Sequence, residues 1–335
     1  MTSRRRRFSL LFAAAATAAA LAGAVVGPAA PATAAWTPQV ERLAGADRYQ
    51  TAIAISKKFP DTASRVFIAT GTAFPDALSV SATAALFASP LLLVQPNAIP
   101  AGVVNEIKRI SPNEIVIAGG TGAVSKNVES QLAKLGVPVK RLSGADRYAT
   151  SRAIAAYGAW EGGTAFATGR DFPDALAVAP IAGVNGAPVL LVDGKKSSLD
   201  SATQSALTKY DSQYALIAGG TGAVSSGIER QLKSTHEMVT RIAGADRYAT
   251  AAKLNSGEYD VYYDVAYLAV GTGFADALAG GGLAGRFDGP LFLVQGNCVP
   301  GAVLDSLNKA QPDKIVLLGG KGALGDGVAK LRRCA

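Results

Sequence analysis

Six arginines recur in register along this 335-residue chain: Arg42 with Arg48, Arg141 with Arg147, and Arg241 with Arg247. Each pair frames the same stretch. Arg42-Leu43-Ala44-Gly45-Ala46-Asp47-Arg48-Tyr49 returns as Arg141-Leu142-Ser143-Gly144-Ala145-Asp146-Arg147-Tyr148, and again as Arg241-Ile242-Ala243-Gly244-Ala245-Asp246-Arg247-Tyr248, at offsets of 99 and 100 residues. A guanidinium is planar, permanently charged and forked, so it grips phosphate or carboxylate through two parallel hydrogen bonds. Three copies on one chain raise the effective concentration for a repeating ligand. The chemistry this suggests is recognition of an anionic polymer. An internal ion pair between Arg48 and a carboxylate such as Asp76 is the competing reading, and both stay open at this point. Asp47 reads as a helix cap, and Tyr49 as a half-buried ring with its hydroxyl at the edge. Arg48 has no such explanation, because a cation gains nothing at the positive end of a helix dipole.

Three further blocks repeat in the same order. Phe74-Pro75-Asp76-Ala77-Leu78 is matched by Phe172-Pro173-Asp174-Ala175-Leu176 and by Phe274-Ala275-Asp276-Ala277-Leu278. Proline suits the first helical position and the acid suits the first turn, so capping explains much of this block. The acid persists where Ala275 replaces the proline, which favours a contact made by Asp76, Asp174 and Asp276 themselves: a sugar hydroxyl, an amine or an arginine. Apolar runs follow at Pro90 to Val94, Pro188 to Val192 and Pro290 to Val294. Last comes Gly119-Gly120-Thr121-Gly122-Ala123-Val124-Ser125, repeated from Gly219, Gly220 and Gly222 to Ser225 and, less closely, from Gly319 to Gly325. Bare amides of a glycine turn ahead of a helix can hold an anion. The spacing does not fit G-x-G-x-x-G, and no acid stands at a strand end about twenty residues on, so close strand–helix packing is the alternative.

Catalytic chemistry finds little support. The single histidine, His236, lies between Lys233 and Met238 and reads as exposed. One histidine and two cysteines exclude a two-histidine zinc motif and supply few ligands for any zinc site. No G-x-S-x-G elbow is present, and the recurring acid occurs once per copy rather than as a pair. No cofactor is implied.

The elements that must position these residues alternate between strand and helix. In the first copy a helix starts near Asp47, followed by a strand at Arg65 to Thr70 and a helix from Pro75 to Ala88. Leu91 to Val94 is a strand, Gly102 to Ile110 a helix, Glu114 to Ala118 a strand, Ser125 to Leu135 a helix and Val139 to Leu142 a strand. Short, wholly apolar strands separated by helices predict parallel sheets covered on both faces. A period near 100 residues is too long for a solenoid, so the expected class is α/β: three tandem Rossmann-like units, packed on one another about a pseudo-threefold axis.

Residues 1–34 have a basic start at Arg4 to Arg7, an apolar middle and a small-x-small triplet at Ala32-Thr33-Ala34, the order of a secretory signal of twin-arginine type. The formal charge is +8, and with those four arginines set aside Lys+Arg 29 stands against Asp+Glu 25, a net of +4. That is too mild to argue for nucleic acid. No second apolar run reaches spanning length, so no membrane span is expected after signal removal. In an oxidising compartment Cys298 and Cys334 can form a disulfide, two separate thiols being the alternative.

These blocks, R-L-x-G-A-D-R-Y-x-T, F-x-D-A-L, P-[LV]-[LF]-L-V and G-G-x-G-A-[VL], resemble the cell wall-binding repeat of the second type, the CWB2 family of Gram-positive surface and secreted proteins. The resemblance covers the chain beyond the leader, with repeats assigned to 36–138, 139–236 and 237–335. It implies three Rossmann-like modules in a pseudo-trimer that holds the protein non-covalently on the wall through an anionic polymer, teichoic-acid-like or another secondary polymer. Family members often carry a separate amidase, protease or adhesin domain. These 335 residues leave no room for one, so the expectation is binding without catalysis. The alternative is a peptidoglycan hydrolase, in particular an N-acetylmuramoyl-L-alanine amidase, or an accessory protein that modulates a separate wall enzyme. Copy three departs at Ala275, Lys321 and Gly325, and its site is expected to be weaker or to serve packing alone.

Overall fold

The computed structural model describes residues 36–210, 213–258 and 263–335; the leader assigned to 1–34 and the side chain of Asp76 lie outside the described part. Among the described residues twelve strands form three four-stranded sheets, all of whose pairings are parallel. The first sheet holds β2 (Arg65–Thr70), β3 (Leu91–Val94), β4 (Glu114–Ala118) and β5 (Val139–Leu142) in the order β3-β2-β4-β5. The second holds β6 (Thr164–Thr168), β7 (Val189–Val192), β8 (Tyr214–Ala218) and β9 (Met238–Ile242) in the matching order β7-β6-β8-β9.

The third sheet is closed by the other end of the chain. It joins β10 (Val265–Val270), β11 (Leu291–Val294) and β12 (Lys314–Leu318) to β1 (Gln39–Leu43), with Val40 opposite Ile315. Each sheet therefore takes its fourth strand from the segment that opens a sequence repeat. The boundaries at 139 and 237 fall just before β5 and β9, strands that complete the sheet of the repeat before them. Sequence repeat and folded unit are one strand out of phase.

The strands of the first copy occur at the expected bounds, because buried β-branched and leucine runs flanked by turns have few other ways to satisfy their backbone. The helix from Pro75 stops at Leu86 rather than Ala88. Ala88 sits at φ 46° and the Ser89 amide donates back to the Ala84 carbonyl at 2.9 Å. That αL closure satisfies the last carbonyls and aims the chain into β3. Gly186 and Asp288, also at positive φ, close the equivalent helices 173–184 and 275–286.

Those three helices face one another at the centre, and one apolar core runs through residues of all three units. Their alanine and glycine content lets them approach closely. A Cβ added at Gly281 would lie 2.0 Å from Ser81 Oγ, and one at Gly183 would lie 2.2 Å from the Ala82 carbonyl. Separate smaller cores fill the outer faces of the first and second sheets.

His236 is buried rather than exposed: 9% of its surface is accessible and its ring meets Phe166 edge-on. It folds back onto the end of the preceding helix, with Nδ1 3.2 Å from the Leu232 carbonyl, and burial holds its pKa below the ordinary range. Cys298 and Cys334 are joined in a disulfide, Cα–Cα 5.0 Å, tying down the C-terminal segment. Among the described residues no helix is long and apolar enough to cross a membrane.

Candidate functional site

The Gly-Ala-Asp-Arg-Tyr-x-Thr block is a self-bonded turn. Asp47, Asp146 and Asp246 cap the helices that follow, accepting from the amides of Gln50, Ala149 and Ala249 at 2.7–2.8 Å. Thr51, Thr150 and Thr250 accept through Oγ1 from the amides of Gly45, Gly144 and Gly244. The result is a rigid platform that launches the next residue, the arginine, at a fixed angle.

Arg48, Arg147 and Arg247 each donate one Nη1 hydrogen bond to the carbonyl of Gly71, Gly169 or Gly271, at 2.5, 2.6 and 2.8 Å. Each guanidinium then lies over a phenylalanine from a different repeat. Arg48 is 5.8 Å from the centroid of Phe274, Arg147 is 6.0 Å from Phe74 and Arg247 is 5.6 Å from Phe172. The three rings contact one another at 5.4, 5.8 and 6.0 Å, marking the pseudo-threefold axis. A backbone carbonyl and an aromatic face hold Arg48; the ion pair with Asp76, left open by the sequence, involves a side chain outside the described part. Arg48 is exposed, and Arg147 and Arg247 are half-buried, so guanidinium edges ring a half-exposed aromatic cluster.

Arg42, Arg141 and Arg241 do different work. Each donates Nη1 to the carbonyl of Gly319, Gly119 or Gly219, pinning the glycine turn at 2.7–2.8 Å. Arg141 and Arg241 are also paired with Glu129 and Glu229, at 2.9 and 2.8 Å. In the third unit the equivalent position is Ala329, and among the described residues no carboxylate pairs with Arg42.

In the second and third units the glycine turns sit against the recurring acids. Gly119, Gly219 and Gly319 lie at φ 107°, 99° and 122°, a region other residues rarely enter. A Cβ at Gly219 would lie 2.1 Å from Asp174 Oδ2, and one at Gly319 would lie 2.5 Å from Asp276 Oδ2, so the carboxylates press on bare backbone. Burial raises the Asp174 pKa, Asp171 adds to the rise and Arg247 opposes it. Burial likewise pushes Asp276 up to about 6 against the pull of Arg48. A Cβ at Gly120, Gly122, Gly220 or Gly222 would meet nothing within 4 Å, so packing does not demand glycine there. Ser125 and Ser225 cap the helices behind these turns, accepting from the amides of Val128 and Ile228.

The strand order places a switch point between β2 and β4, β6 and β8, and β10 and β12, where ligands of doubly wound sheets bind beyond the carboxyl ends. Crevices open there in the second and third units. One, of about 430 Å³, is lined by Arg170, Asp171, Asp174, Lys195 and Arg247. The other, of about 620 Å³, is lined by Arg48, Asp276, Gly320 and the axial rings Phe74, Phe172 and Phe274. The phenylalanines were legible in sequence only as their recurrence beside the acid; Arg170, Asp171 and Lys195 belong to one copy and carry no repeat signal.

The profile of cell wall binding domain 2 (CWB2) matches residues 42–129, 141–229 and 241–329. The chain belongs to the CWB2 family. It is similar to Cwp6 from Clostridium difficile (TM-score 0.81, 27% identity, covering 89% of this chain and 48% of that one) and to Cwp8 from the same organism (TM-score 0.78, 28% identity, 88% and 51%). Among curated proteins it is similar to the N-acetylmuramoyl-L-alanine amidase LytC of Bacillus subtilis, 30% identical over 290 residues, and to the amidase enhancer of that organism, 34% identical over 263 residues. The match covers 87% of this chain and 57% of the amidase, and 78% of this chain and 36% of the enhancer. The chain thus spans little more than half of one relative and about a third of the other. Three CWB2 units with four-stranded parallel sheets make this a cell wall-binding, cell-surface protein.

Proposed function

We propose that the protein is secreted, attaches non-covalently to the wall of a Gram-positive cell through an anionic wall polymer, and catalyses nothing itself. The observation that carries this reading is the ring of Arg48, Arg147 and Arg247. Each is held by one Nη1 bond to a glycine carbonyl and stacked on a neighbouring phenylalanine, which fixes the fork in place, and Arg247 also lies 3.5 Å from Asp171. The fixed fork lowers the ordering cost of binding, and three equivalent forks suit a repeating polyanion.

Two relatives named for different roles, an amidase and an enhancer of one, align to this chain over part of their length only. A shared wall-binding segment explains that pattern without a shared reaction. Among the described residues no group of three or more His, Cys, Asp or Glu side chains is arranged to hold a metal ion. A separate wall enzyme is a candidate partner, by analogy with the enhancer.

The test is co-sedimentation of purified protein with walls before and after extraction of their anionic polymer. Binding to intact walls and loss from stripped walls is the expected result; equal binding to both refutes the reading. A zymogram on the same walls addresses catalysis, and a clearing band would overturn that part.

A further inference from the structure

The three units share one plan but not one charge balance. In the second-unit crevice the cations are answered by acids. Asp171 lies 3.5 Å from Arg247, Asp193 holds Arg170 at 2.6 Å, and Glu229 holds Arg241 behind the turn. In the third-unit crevice those acids are missing: Gly273 stands where the second repeat has Asp171, and Ala329 where it has Glu229. Among the described residues neither Arg48 nor Arg42 has an ion-pair partner there. This crevice is also the larger of the two and reaches the axial phenylalanines. It forms at the seam where β1 closes the third sheet, so its arginines come from the first repeat and its turn from the third.

We propose that this seam crevice, in preference to the second-unit crevice, takes one sugar residue bearing a negatively charged substituent, with the charge on Arg48, a hydroxyl on Asp276 and the sugar ring against the axial phenylalanines. The inference deepens the proposed wall binding and rests on it. An aromatic face accepts the CH face of a sugar, a guanidinium fork accepts phosphate or carboxylate, and a buried carboxyl is a hydroxyl's natural partner. The lack of a second acid favours the seam, since an anion entering the second-unit crevice must first displace Asp171 from Arg247.

The test exchanges the acid beside the axial arginine, present in the second unit as Asp171 and absent at Gly273. A Cβ at Gly273 meets only Val270 Cγ1, at 3.4 Å, so the backbone there has room for a side chain and Gly273→Asp supplies the missing acid. Asp171→Gly removes it from the second unit. Binding of the full chain to purified Gram-positive walls is measured for both variants and for Arg48→Gln and Arg247→Gln, with thermal unfolding as the check on folding. Glucose, glucose 6-phosphate and glucuronate serve as competing probes, the last two separating phosphate from carboxylate recognition. The expected result is about a tenfold loss for Gly273→Asp and Arg48→Gln, as for one charge-assisted contact, and a smaller loss for Arg247→Gln. Asp171→Gly should bind as well as the parent or better, and at least one charged sugar should compete more strongly than glucose. Equal losses for Arg48→Gln and Arg247→Gln, no effect of Gly273→Asp, or competition by glucose equal to that of both charged sugars would overturn the seam assignment. A parent protein that ignores the walls would instead overturn the wall-binding proposal.

Discussion

The guanidinium of Arg48, from the first repeat, lies over the ring of Phe274, from the third, with 5.8 Å between guanidinium carbon and ring centroid. The same handshake links Arg147 to Phe74 and Arg247 to Phe172, so each repeat lends its arginine to the aromatic ring of the one before it around a closed circle. Arginines 99 and 100 positions apart and phenylalanines 98 and 102 positions apart thereby build one composite surface, and the surface exists only when all three units are assembled.

Phe172→Ala tests that interdependence. It removes two ring contacts, at 5.4 and 6.0 Å, and the seat of Arg247. A loss of about 2–4 kcal/mol in denaturant unfolding is expected, within a single cooperative transition. A change below about 0.5 kcal/mol, the range of an ordinary surface substitution, would show that the trio is not structural.

Two glycines of similar appearance in sequence should respond in opposite ways. Gly281→Val places side-chain carbon where Ser81 Oγ already sits, so the central helices must separate; a loss of more than about 2 kcal/mol is expected. Gly122→Ala adds a methyl to open space, and stability should stay within about 0.5 kcal/mol of the parent. Thermal melts of the two variants decide the matter.

Asp276 predicts a pH signature. Its folded pKa of about 6 lies above the ordinary 3.8, so the folded state holds the proton more tightly than the unfolded chain. The stability this contributes is complete below about pH 3.8 and is lost as pH rises through about 6, amounting at most to about 3 kcal/mol. Asp276→Asn should therefore gain stability relative to the parent as pH rises from about 3.8 to about 6, with the difference flat above that range. The same protonation removes a negative charge beside Arg48, so wall binding should strengthen as pH falls toward about 5. Parallel stability profiles for parent and variant would contradict the assignment.

The Cys298–Cys334 bridge spans 36 positions and fastens the chain beside the parallel bridge of Val299 with Arg333. Cys334→Ser, or reduction, should lower stability by about 2–4 kcal/mol through the entropy restored to the unfolded chain. An unchanged melting temperature after verified reduction would show that the segment is held by its other contacts.

Much of the fold was legible because its signals are local. Leu91 to Val94 has no polar face, Pro75 opens a helix, and the tripled blocks set the period. Closure of the third sheet by β1 was not legible, since nothing in Gln39–Leu43 names its partner 275 positions away at Lys314. At the site, Asp47 read correctly as a cap, and the arginines stood out because a helix start does not favour them. What held them was hidden: a carbonyl such as that of Gly71 has no sequence signature, and Phe274 becomes a neighbour of Arg48 only once the ring closes. His236 read as exposed because it lies between repeats, yet its ring turns inward onto Phe166. The departures of copy three at Ala275, Lys321 and Gly325 drew attention in sequence, whereas Gly273 and Ala329, which stand where copy two has Asp171 and Glu229, did not.

The most direct test of anion recognition by the arginine ring is equilibrium binding of the full chain to purified anionic wall polymer, at about 0.1 M and about 1 M salt, where the screening length falls from about 10 Å to about 3 Å. Affinity should drop at least about tenfold at the higher salt, and more steeply for the parent than for Arg48→Gln, which has one charged contact fewer. Affinity that holds constant across that range, in both proteins, would contradict an electrostatic grip on the wall.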